Sequence, residues 1–319
     1  MDTLINIIKN YNVKLINITN DKNSILNKKV KKVFVINLLE DVLKRNYIVT
    51  VMNKLNINFT LVMVDKVSEN IYDTLCPKKH ISKEELGCCL SHLYCLNDII
   101  ENKIENAIIF EDDVFFHKDF LNKFNKIDLN NCNFLLLGAH DFSLSSTNYK
   151  YINEKQLYHP DKNSMNLFGA HANFYSFKAA KCMFQVRTSI ISFFDKEYML
   201  LFNFFHDSSF ICYPNLVVTD VSQSHLNHSK GFLTAQEWMY YKKCFLSFDF
   251  QDYNFIYLHL LDNKLYKKMD NYEKYITSCL HKTVFRLEPE KLVLIKNRFT
   301  LDFFTLKDVE IFFKSINKV

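Results

Sequence analysis

Three consecutive carboxylates, Glu111, Asp112 and Asp113, follow directly on an apolar run at residues 107–110. Adjacent acids repel one another, so this arrangement is favoured where a divalent cation offsets the charge. Mg²⁺ and Mn²⁺ prefer carboxylate oxygens as ligands. In α/β proteins the carboxyl ends of the strands open into the ligand crevice. The sequence therefore predicts a metal-suited acidic cluster at the edge of a sheet, with a solvated acidic turn as the alternative.

Short apolar runs and helical periodicities alternate along the first part of the chain, as they do in α/β proteins. One helix is predicted over residues 40–55, and the capping box of Ser82 and Glu85 predicts another that ends near Ile100. The predicted strands cover residues 33–38, 59–64, 107–110 and 134–138. Because these strands are apolar throughout, we expect a doubly wound α/β fold whose parallel sheet is buried on both faces.

The composition changes near residue 235, where strand-like runs give way to segments of helical periodicity. We therefore divide the chain into a polar lead-in of residues 1–30, a main unit of residues 31–235 and a mainly helical appendage of residues 236–319. Aromatic residues of the appendage are expected to pack against the main unit. The apolar stripe of its last predicted helix, residues 305–316, indicates a packing face, with a membrane-surface or partner-docking helix as the alternative.

Charge and cysteine usage exclude several classes of protein. A formal net charge of +5 is too small to indicate nucleic-acid binding, and neither a P-loop nor a G-x-G-x-x-G motif is present. The nine cysteines include no C-x-x-C pair, which favours free thiols in a reducing compartment. No long apolar run predicts a signal peptide or a transmembrane span, so we expect a cytoplasmic location.

Several short motifs occur in a characteristic order between residues 32 and 229. They are V-I-N-L at 35–38 followed by Lys44 and Arg45, E-x-G-C-x-x-S-H at 85–92, E-D-D-V at 111–114, the segment 169–176, Asp195 in F-F-D at 193–195, and Tyr213-Pro214. In this order they resemble glycosyltransferase family 25, which includes lipopolysaccharide and procollagen galactosyltransferases. Lys44 stands where the family has the first arginine of a basic pair.

The resemblance implies a GT-A-like nucleotide-sugar-binding fold and an inverting transfer of a hexose, galactose or glucose. The donor would be a UDP-sugar, the acceptor a hydroxyl of a glycan or protein, and the cofactor Mn²⁺ or Mg²⁺. The implied metal ligands are Asp113, Glu111 and His225. The implied donor-binding residues are Asn37, Arg45, Asp65, His92, Glu111 and Asp112. The implied catalytic residues are Asp113 and Asp195, of which Asp195 would be the general base.

The direction of each acid follows from strand geometry. Because side chains alternate along an extended strand, Glu111 and Asp113 share one face and Asp112 points to the other. We therefore expect Glu111 and Asp113 near the donor, and Asp112 beside them only if the backbone turns.

Alternative roles remain open for the other candidates. Asp195 is equally suited to cap a helix over residues 196–205, in which case Glu197 or Asp207 would be the base. His92 could anchor the acidic strand or help to seat the nucleotide. Either of two late histidines could bind the metal or be structural, and these are His225 and His228.

Two functions of other classes also fit the acidic cluster. One is a catalytically silent protein of the same fold that binds ligands or acts as a scaffold. The other is a Mg²⁺-dependent hydrolase of sugar nucleotides, because acidic strand ends serve such enzymes too.

Overall fold

The computed structural model describes residues 2–20, 24–141, 157–159, 167–189, 192–212 and 215–219. The predicted appendage of residues 236–319 lies outside these ranges, as do His225 and His228. Within the described ranges, no helix is long and apolar enough to cross a membrane.

The described helices and strands alternate over most of the chain. The helices are α1 (Asp2–Lys9), α2 (Ile25–Lys29), α3 (Val42–Lys54), α4 (Glu69–Leu75), α5 (Lys83–Glu101), α6 (Phe120–Asn125), α7 (Phe177–Ser189) and α8 (Tyr198–Phe204). The strands are β1 (Val13–Ile18), β2 (Lys32–Leu38), β3 (Phe59–Val64), β4 (Asn106–Glu111), β5 (Val114–Phe116), β6 (Phe134–Leu136), β7 (His140–Asp141), β8 (Leu157–Tyr158), β9 (Leu167–Phe168), β10 (Ala172–Ser176), β11 (Ser209–Cys212) and β12 (Val217–Thr219). Short 3₁₀ helices cover Phe194–Glu197 and His206–Ser208.

Eight of these strands form one mixed sheet, in the order β1-β3-β2-β4-β10-β6-β11-β8. β2 is parallel to β3 and to β4, and β6 is parallel to β11. β10 runs antiparallel between β4 and β6, and the edge strands β1 and β8 are antiparallel to their neighbours. Two further antiparallel pairs join β5 to β12 and β7 to β9. The predicted α/β fold is confirmed, with a mixed sheet in place of the expected parallel one.

A hydrophobic core covers each face of the sheet, which explains why its central strands are apolar throughout. In β2, Val33 and Val35 pack into one core, whereas Phe34 and Ile36 pack into the other. Helices α2, α3 and α6 cover the first face, and helices α1, α4, α5, α7 and α8 cover the second. Full burial of one such valine or phenylalanine contributes about 1.5–3 kcal/mol to stability.

Helix α5 begins at the predicted capping box. The Glu85 amide donates to the Ser82 hydroxyl over 3.1 Å, and the Glu85 carboxylate accepts from the Ser82 amide over 2.6 Å. Leu86, Leu90 and Leu93 are buried on the side of α5 that meets the sheet. The cap therefore fixes the register of the helix and the direction in which its remaining side chains point.

The first residues of the chain belong to the same sheet. β1 pairs with β3 from Val13 opposite Val64 to Ile18 opposite Phe59. The side chains of α1, Leu4 and Ile8 among them, join the core on the α5 side. The predicted lead-in of residues 1–30 thus supplies an edge strand, while the boundaries of the three predicted parts stay predictions.

Gly138 lies where the chain leaves β6 and passes against β12. A Cβ atom at this position would lie 1.7 Å from the Val217 carbonyl oxygen. We expect Gly138→Ala to lower the free energy of unfolding by at least about 1–3 kcal/mol, because the backbone of β12 would have to move. Urea unfolding of the purified variant measures this loss.

Gly87 offers a matched control inside helix α5. A Cβ atom there would meet its nearest neighbour, Val67 Cγ2, at 3.4 Å, which is an ordinary contact. Gly87→Ala is therefore expected to leave stability unchanged or to raise it by up to about 1 kcal/mol, since alanine favours the helix. Equal losses in the two variants would contradict the account given for Gly138.

Candidate functional site

A cleft of about 360 Å³ opens at the carboxyl ends of β2, β3 and β4. The three adjacent acids line it together with residues from β2 and α5. Among the residues proposed from the sequence, those lining the cleft are Asn37, Asp65, His92, Glu111, Asp112 and Asp113. The structure therefore brings most of the predicted site into one place, at the edge where α/β folds bind their ligands.

The backbone turns directly after the first of the three acids, Glu111. β4 ends at Glu111, and Asp112 and Asp113 form the turn that leads into β5. The alternation predicted for an extended strand therefore stops at Glu111. Asp112 and Asp113 both approach the same ammonium group, that of Lys44, while Glu111 faces helix α5. Asp112 and Asp113 thus share the Lys44 ammonium, and because the backbone turns, all three acids line the same cleft.

Lys44, in the first turn of α3, lies against both carboxylates of this pair. Its Nζ is 3.4 Å from Asp113 Oδ2 and 3.8 Å from Asp112 Oδ1. The three residues are buried, with exposed fractions of 7%, 8% and 9% for Lys44, Asp113 and Asp112. The Thr219 hydroxyl donates to Asp113 Oδ1 over 2.7 Å, so strand β12 holds the second oxygen of that carboxylate.

Asn37 and Arg45 position Asp112 from the side of β2. The Asn37 amide donates to Asp112 Oδ2 over 2.7 Å and to the Asp41 carbonyl over 3.1 Å. The Arg45 guanidinium donates to Asn37 Oδ1 over 3.3 Å and to the Leu39 carbonyl over 2.8 Å. Arg45 therefore reaches the acids through Asn37 and does not contact them directly in this arrangement.

Burial disfavours the ionised form of the Asp112 carboxylate. Burial raises the pKa of Asp112 to about 7, with a contribution from the charge of Asp113 and against the attraction of Lys44. Two carboxylates this close cannot both ionise easily in a poorly solvated site. Burial and the neighbouring carboxylate thus both act against ionisation of Asp112, while Lys44 acts in favour of it.

Glu111 belongs to a separate network with helix α5. Its Oε1 lies 3.0 Å from His92 Nε2 and 3.6 Å from the Cys88 sulfur. Burial acts to raise the pKa of Glu111, but the hydrogen bond and attraction of His92 outweigh it and hold the pKa below its ordinary value. Burial raises the pKa of the Cys88 thiol well above its ordinary value, so the thiol stays protonated. Its S–H donates a hydrogen bond to the Glu111 carboxylate.

The two clusters differ as metal sites. Asp112 and Asp113 offer carboxylate oxygens alone, the donors that Mg²⁺ and Mn²⁺ prefer. Cys88 Sγ, His92 Nε2 and Glu111 Oε1 lie within 4.8 Å of one another and could also hold a metal ion. That set is softer, and its protonated thiol would first have to lose a proton. The predicted Mn²⁺ or Mg²⁺ therefore fits the aspartate pair better than it fits Glu111.

Asp195 lies in the 3₁₀ helix Phe194–Glu197 and is not among the residues that line the cleft. Its Oδ2 accepts the Gly169 amide hydrogen over 2.9 Å, and Gly169 has a φ of +133°, which favours glycine. Burial raises the pKa of Asp195, against the hydrogen bond from Gly169. The N-cap position of α8 is Glu197, so Asp195 does not cap that helix.

The ring of Phe194 connects Asp195 with the Glu111 network. It stacks on His92 with 4.4 Å between ring centroids. His92 is fully buried, and its Nδ1 has no hydrogen-bond partner among the described residues. The His92 ring thus packs against Phe194 and also contacts Glu111. Its two predicted roles, anchoring the acidic strand and helping to bind the nucleotide, both stay open.

Asp65, directly after β3, is hydrogen-bonded to two residues that precede β1. The Tyr11 hydroxyl donates to the Asp65 carbonyl over 2.9 Å, and the Asn12 amide donates to the Asp65 carboxylate. Tyr11 also lines the cleft. The sequence did not predict that Tyr11 and Asn12 would contact Asp65, because the only pattern in the segment before β1 is the short apolar stretch of α1.

Two other site residues were not predicted as such. Lys44 could have been found, because it is the first residue of the basic pair in the family motif, but its contact with the acids depends on how α3 packs. Thr219 had none, since a single threonine 106 residues from its partner carries no pattern. His225 lies outside the described residues, so its role as a metal ligand stays a prediction.

A sequence profile of the family described as glycosyltransferase family 25 (LPS biosynthesis protein) matches residues 30–192, slightly more than half of the chain. No curated protein matches the chain. A solved structure with similarity to it is that of a glycosyltransferase involved in the glycosylation of the major capsid of PBCV-1. That match has 11% sequence identity and a TM-score of 0.36, and it covers 60% of this chain and 94% of that chain.

Proposed function

The chain belongs to glycosyltransferase family 25, and we propose that it is a metal-dependent, inverting glycosyltransferase. In this proposal it moves a hexose, galactose or glucose, from a UDP-sugar to a hydroxyl of a glycan or protein, on a GT-A-like framework. The observation that carries the proposal is the buried pair Asp112–Asp113, which lines a cleft at the carboxyl ends of parallel strands. The pair lies inside the region that matches the family.

The cleft supports a nucleotide-sugar ligand by its size and chemistry. Its volume of about 360 Å³ lies in the range of small-molecule sites, roughly 300–1,000 Å³. We assign Asp65 to the nucleoside end of the donor, because it lines the cleft beside Tyr11, whose hydroxyl donates to the Asp65 carbonyl. Asn37 and Arg45 act by holding Asp112 in place for the diphosphate end.

Departure of the nucleoside diphosphate is the step that needs positive charge. Asp112 and Asp113 would hold a divalent cation, which would supply Lewis-acid stabilisation of the leaving diphosphate. Asn37 and Thr219 fix the two carboxylates by hydrogen bonds of 2.7 Å each, so the oxygens are already oriented. Such preorganisation lowers the cost of reorganising the site during the reaction.

An inverting displacement also needs a base for the acceptor hydroxyl. Asp195 is our candidate, because its raised pKa makes it a better proton acceptor than an ordinary aspartate. Backbone amides of Gly169 and of Asp195 itself donate hydrogen bonds to this carboxylate and hold it in place. Glu197 and Asp207 are the reserve candidates, and the exposure of Asp207 makes it the weaker of the two.

The proposal is tested by measuring release of UDP from a panel of UDP-sugars in the presence of Mn²⁺. We expect release of UDP only when a suitable hydroxyl acceptor is added, with the sugar recovered on the acceptor. UDP alone is expected to raise the melting temperature of the protein, since a ligand that binds only the folded state stabilises it.

The same measurement separates the two alternative functions. A sugar-nucleotide hydrolase would release UDP and free sugar in equal amounts without any acceptor. A silent binding protein would be stabilised by UDP but would turn over no donor with any acceptor. Either result would overturn the transferase proposal, and the absence of both binding and turnover would exclude a nucleotide-sugar site.

A further inference from the structure

Lys44 is the one cationic side chain in the described part of the chain that is buried against the acidic pair. Its ammonium is nearly equidistant from the two carboxylates, at 3.4 Å from Asp113 Oδ2 and 3.8 Å from Asp112 Oδ1. The other two lysines that line the cleft, Lys66 and Lys83, instead pair with the surface acids Glu40 and Glu69. Lys44 therefore differs from its neighbours in both burial and partners.

A lysine is rarely buried unless its charge is compensated, because removal of the ammonium from water is costly. The two carboxylates within 4 Å of Nζ provide that compensation for Lys44. The side chain is thus an ammonium at neutral pH. It already provides the positive charge that clustered carboxylates require.

One oxygen of each carboxylate faces Lys44, in the space between the two acids that a shared divalent metal would also need. Asp113 Oδ1 and Asp112 Oδ2 accept hydrogen bonds from Thr219 and Asn37, whereas Asp113 Oδ2 and Asp112 Oδ1 are the oxygens within 4 Å of the Lys44 ammonium. Mg²⁺ and Mn²⁺ lie about 2.0–2.2 Å from their oxygen ligands. A metal on these two oxygens would therefore come close to Nζ at its present position, and like charges repel strongly in a poorly solvated site.

We propose that Lys44 is a built-in counter-ion that competes with the divalent metal for Asp112 and Asp113. The metal and the ammonium exclude one another at this pair, so the protein without a donor binds Mn²⁺ weakly. The flexible Lys44 side chain leaves the carboxylates when the diphosphate of a donor offers it other oxygens. The metal and the donor therefore bind cooperatively. This inference rests on the proposed function, which identifies the cleft as the donor site.

The test is a titration with Mn²⁺, followed by the electron paramagnetic resonance signal of the free ion, without any sugar donor. Lys44→Gln keeps a hydrogen-bond donor near the acids but removes the charge. We expect this variant to bind Mn²⁺ at least about tenfold more tightly than the unaltered chain, because the repulsion is gone. Addition of UDP should raise Mn²⁺ affinity more in the unaltered chain than in Lys44→Gln.

Two control variants make the result specific. Lys66→Gln removes a charge from the rim of the same cleft, where the side chain is 66% exposed, and should leave Mn²⁺ affinity unchanged. Lys44→Arg retains the charge and should bind Mn²⁺ as weakly as the unaltered chain. Equal Mn²⁺ affinity in Lys44→Gln and the unaltered chain, or weaker binding in the variant, would overturn the proposal.

Stability gives a second readout. Lys44→Gln leaves two buried acids without their cation, so it should be less stable alone and regain stability on addition of Mn²⁺. A variant that stays unfolded at saturating Mn²⁺ would show that the metal cannot replace the ammonium, which contradicts the competition. If metal competition is found but no UDP-sugar is turned over, the transferase proposal fails and the counter-ion role stands.

Discussion

Asp113→Asn is expected to reduce glycosyl transfer by at least about 10²–10³-fold, because a neutral amide cannot hold a cation against the leaving diphosphate. Asp113 is the more informative member of the pair, since its two oxygens face Thr219 and Lys44. The measurement is kcat with the preferred UDP-sugar at saturating Mn²⁺. A comparable loss is expected for Asp112→Asn.

The Asp113→Asn chain should nevertheless fold. The amide oxygen can still accept the Thr219 hydroxyl hydrogen, and Lys44 keeps Asp112 as its partner. The charge of Asp113 is one of the causes that raise the pKa of Asp112 to about 7. Without that charge the pKa of Asp112 is expected to fall, which favours the ionised form that compensates Lys44. Urea unfolding should therefore show a change within about 1 kcal/mol.

The matched control is Asp73→Asn, which removes an exposed acid of α4 that pairs with Lys79 outside the cleft. This substitution should leave both stability and transfer unchanged, because exposed ion pairs contribute little. Full activity of Asp113→Asn and Asp112→Asn would contradict the metal-dependent mechanism. Unchanged activity in the presence of EDTA would do the same, since the chelator removes the divalent cation.

Local sequence patterns predicted the parts of this structure that depend on short-range chemistry. β2 and β3 were predicted because cores on both faces require apolar side chains at every position, as Val33 to Ile36 show. The start of α5 was predicted because a capping box acts within four residues. The acids at the end of β4 were predicted as a site because their charge is unfavourable without a partner.

The remaining features depend on long-range packing, which a single sequence does not reveal. The contact of Lys44 with Asp113 joins residues 69 positions apart, and the contact of Thr219 with Asp113 joins residues 106 positions apart. β1 was missed because its side chains are mostly exposed, so it lacks the apolar run of a central strand. The sequence analysis treated the turn after Glu111 as one of two possibilities and did not predict it, because no glycine or proline marks it.

Asp195→Asn is expected to lower kcat by about 10²–10⁴-fold while the affinity for the UDP-sugar stays nearly constant. The substitution is a clean one, because the asparagine side chain can still accept the Gly169 amide hydrogen but cannot take up a proton. In the unaltered enzyme the acidic limb of the kcat/KM profile should lie above the pKa of an ordinary aspartate, in line with the raised pKa of Asp195. This limb should be lost in the variant.

Glu197→Gln is the matched control, since Glu197 lies in the same 3₁₀ helix and is the first reserve candidate for the base. If Asp195 is the base, Glu197→Gln should keep both kcat and the acidic limb. A large loss of kcat in Glu197→Gln, with Asp195→Asn active, would transfer the role to Glu197. A collapse of donor affinity in Asp195→Asn would instead place Asp195 in the donor site, because loss of a general base slows the chemical step without weakening ground-state binding.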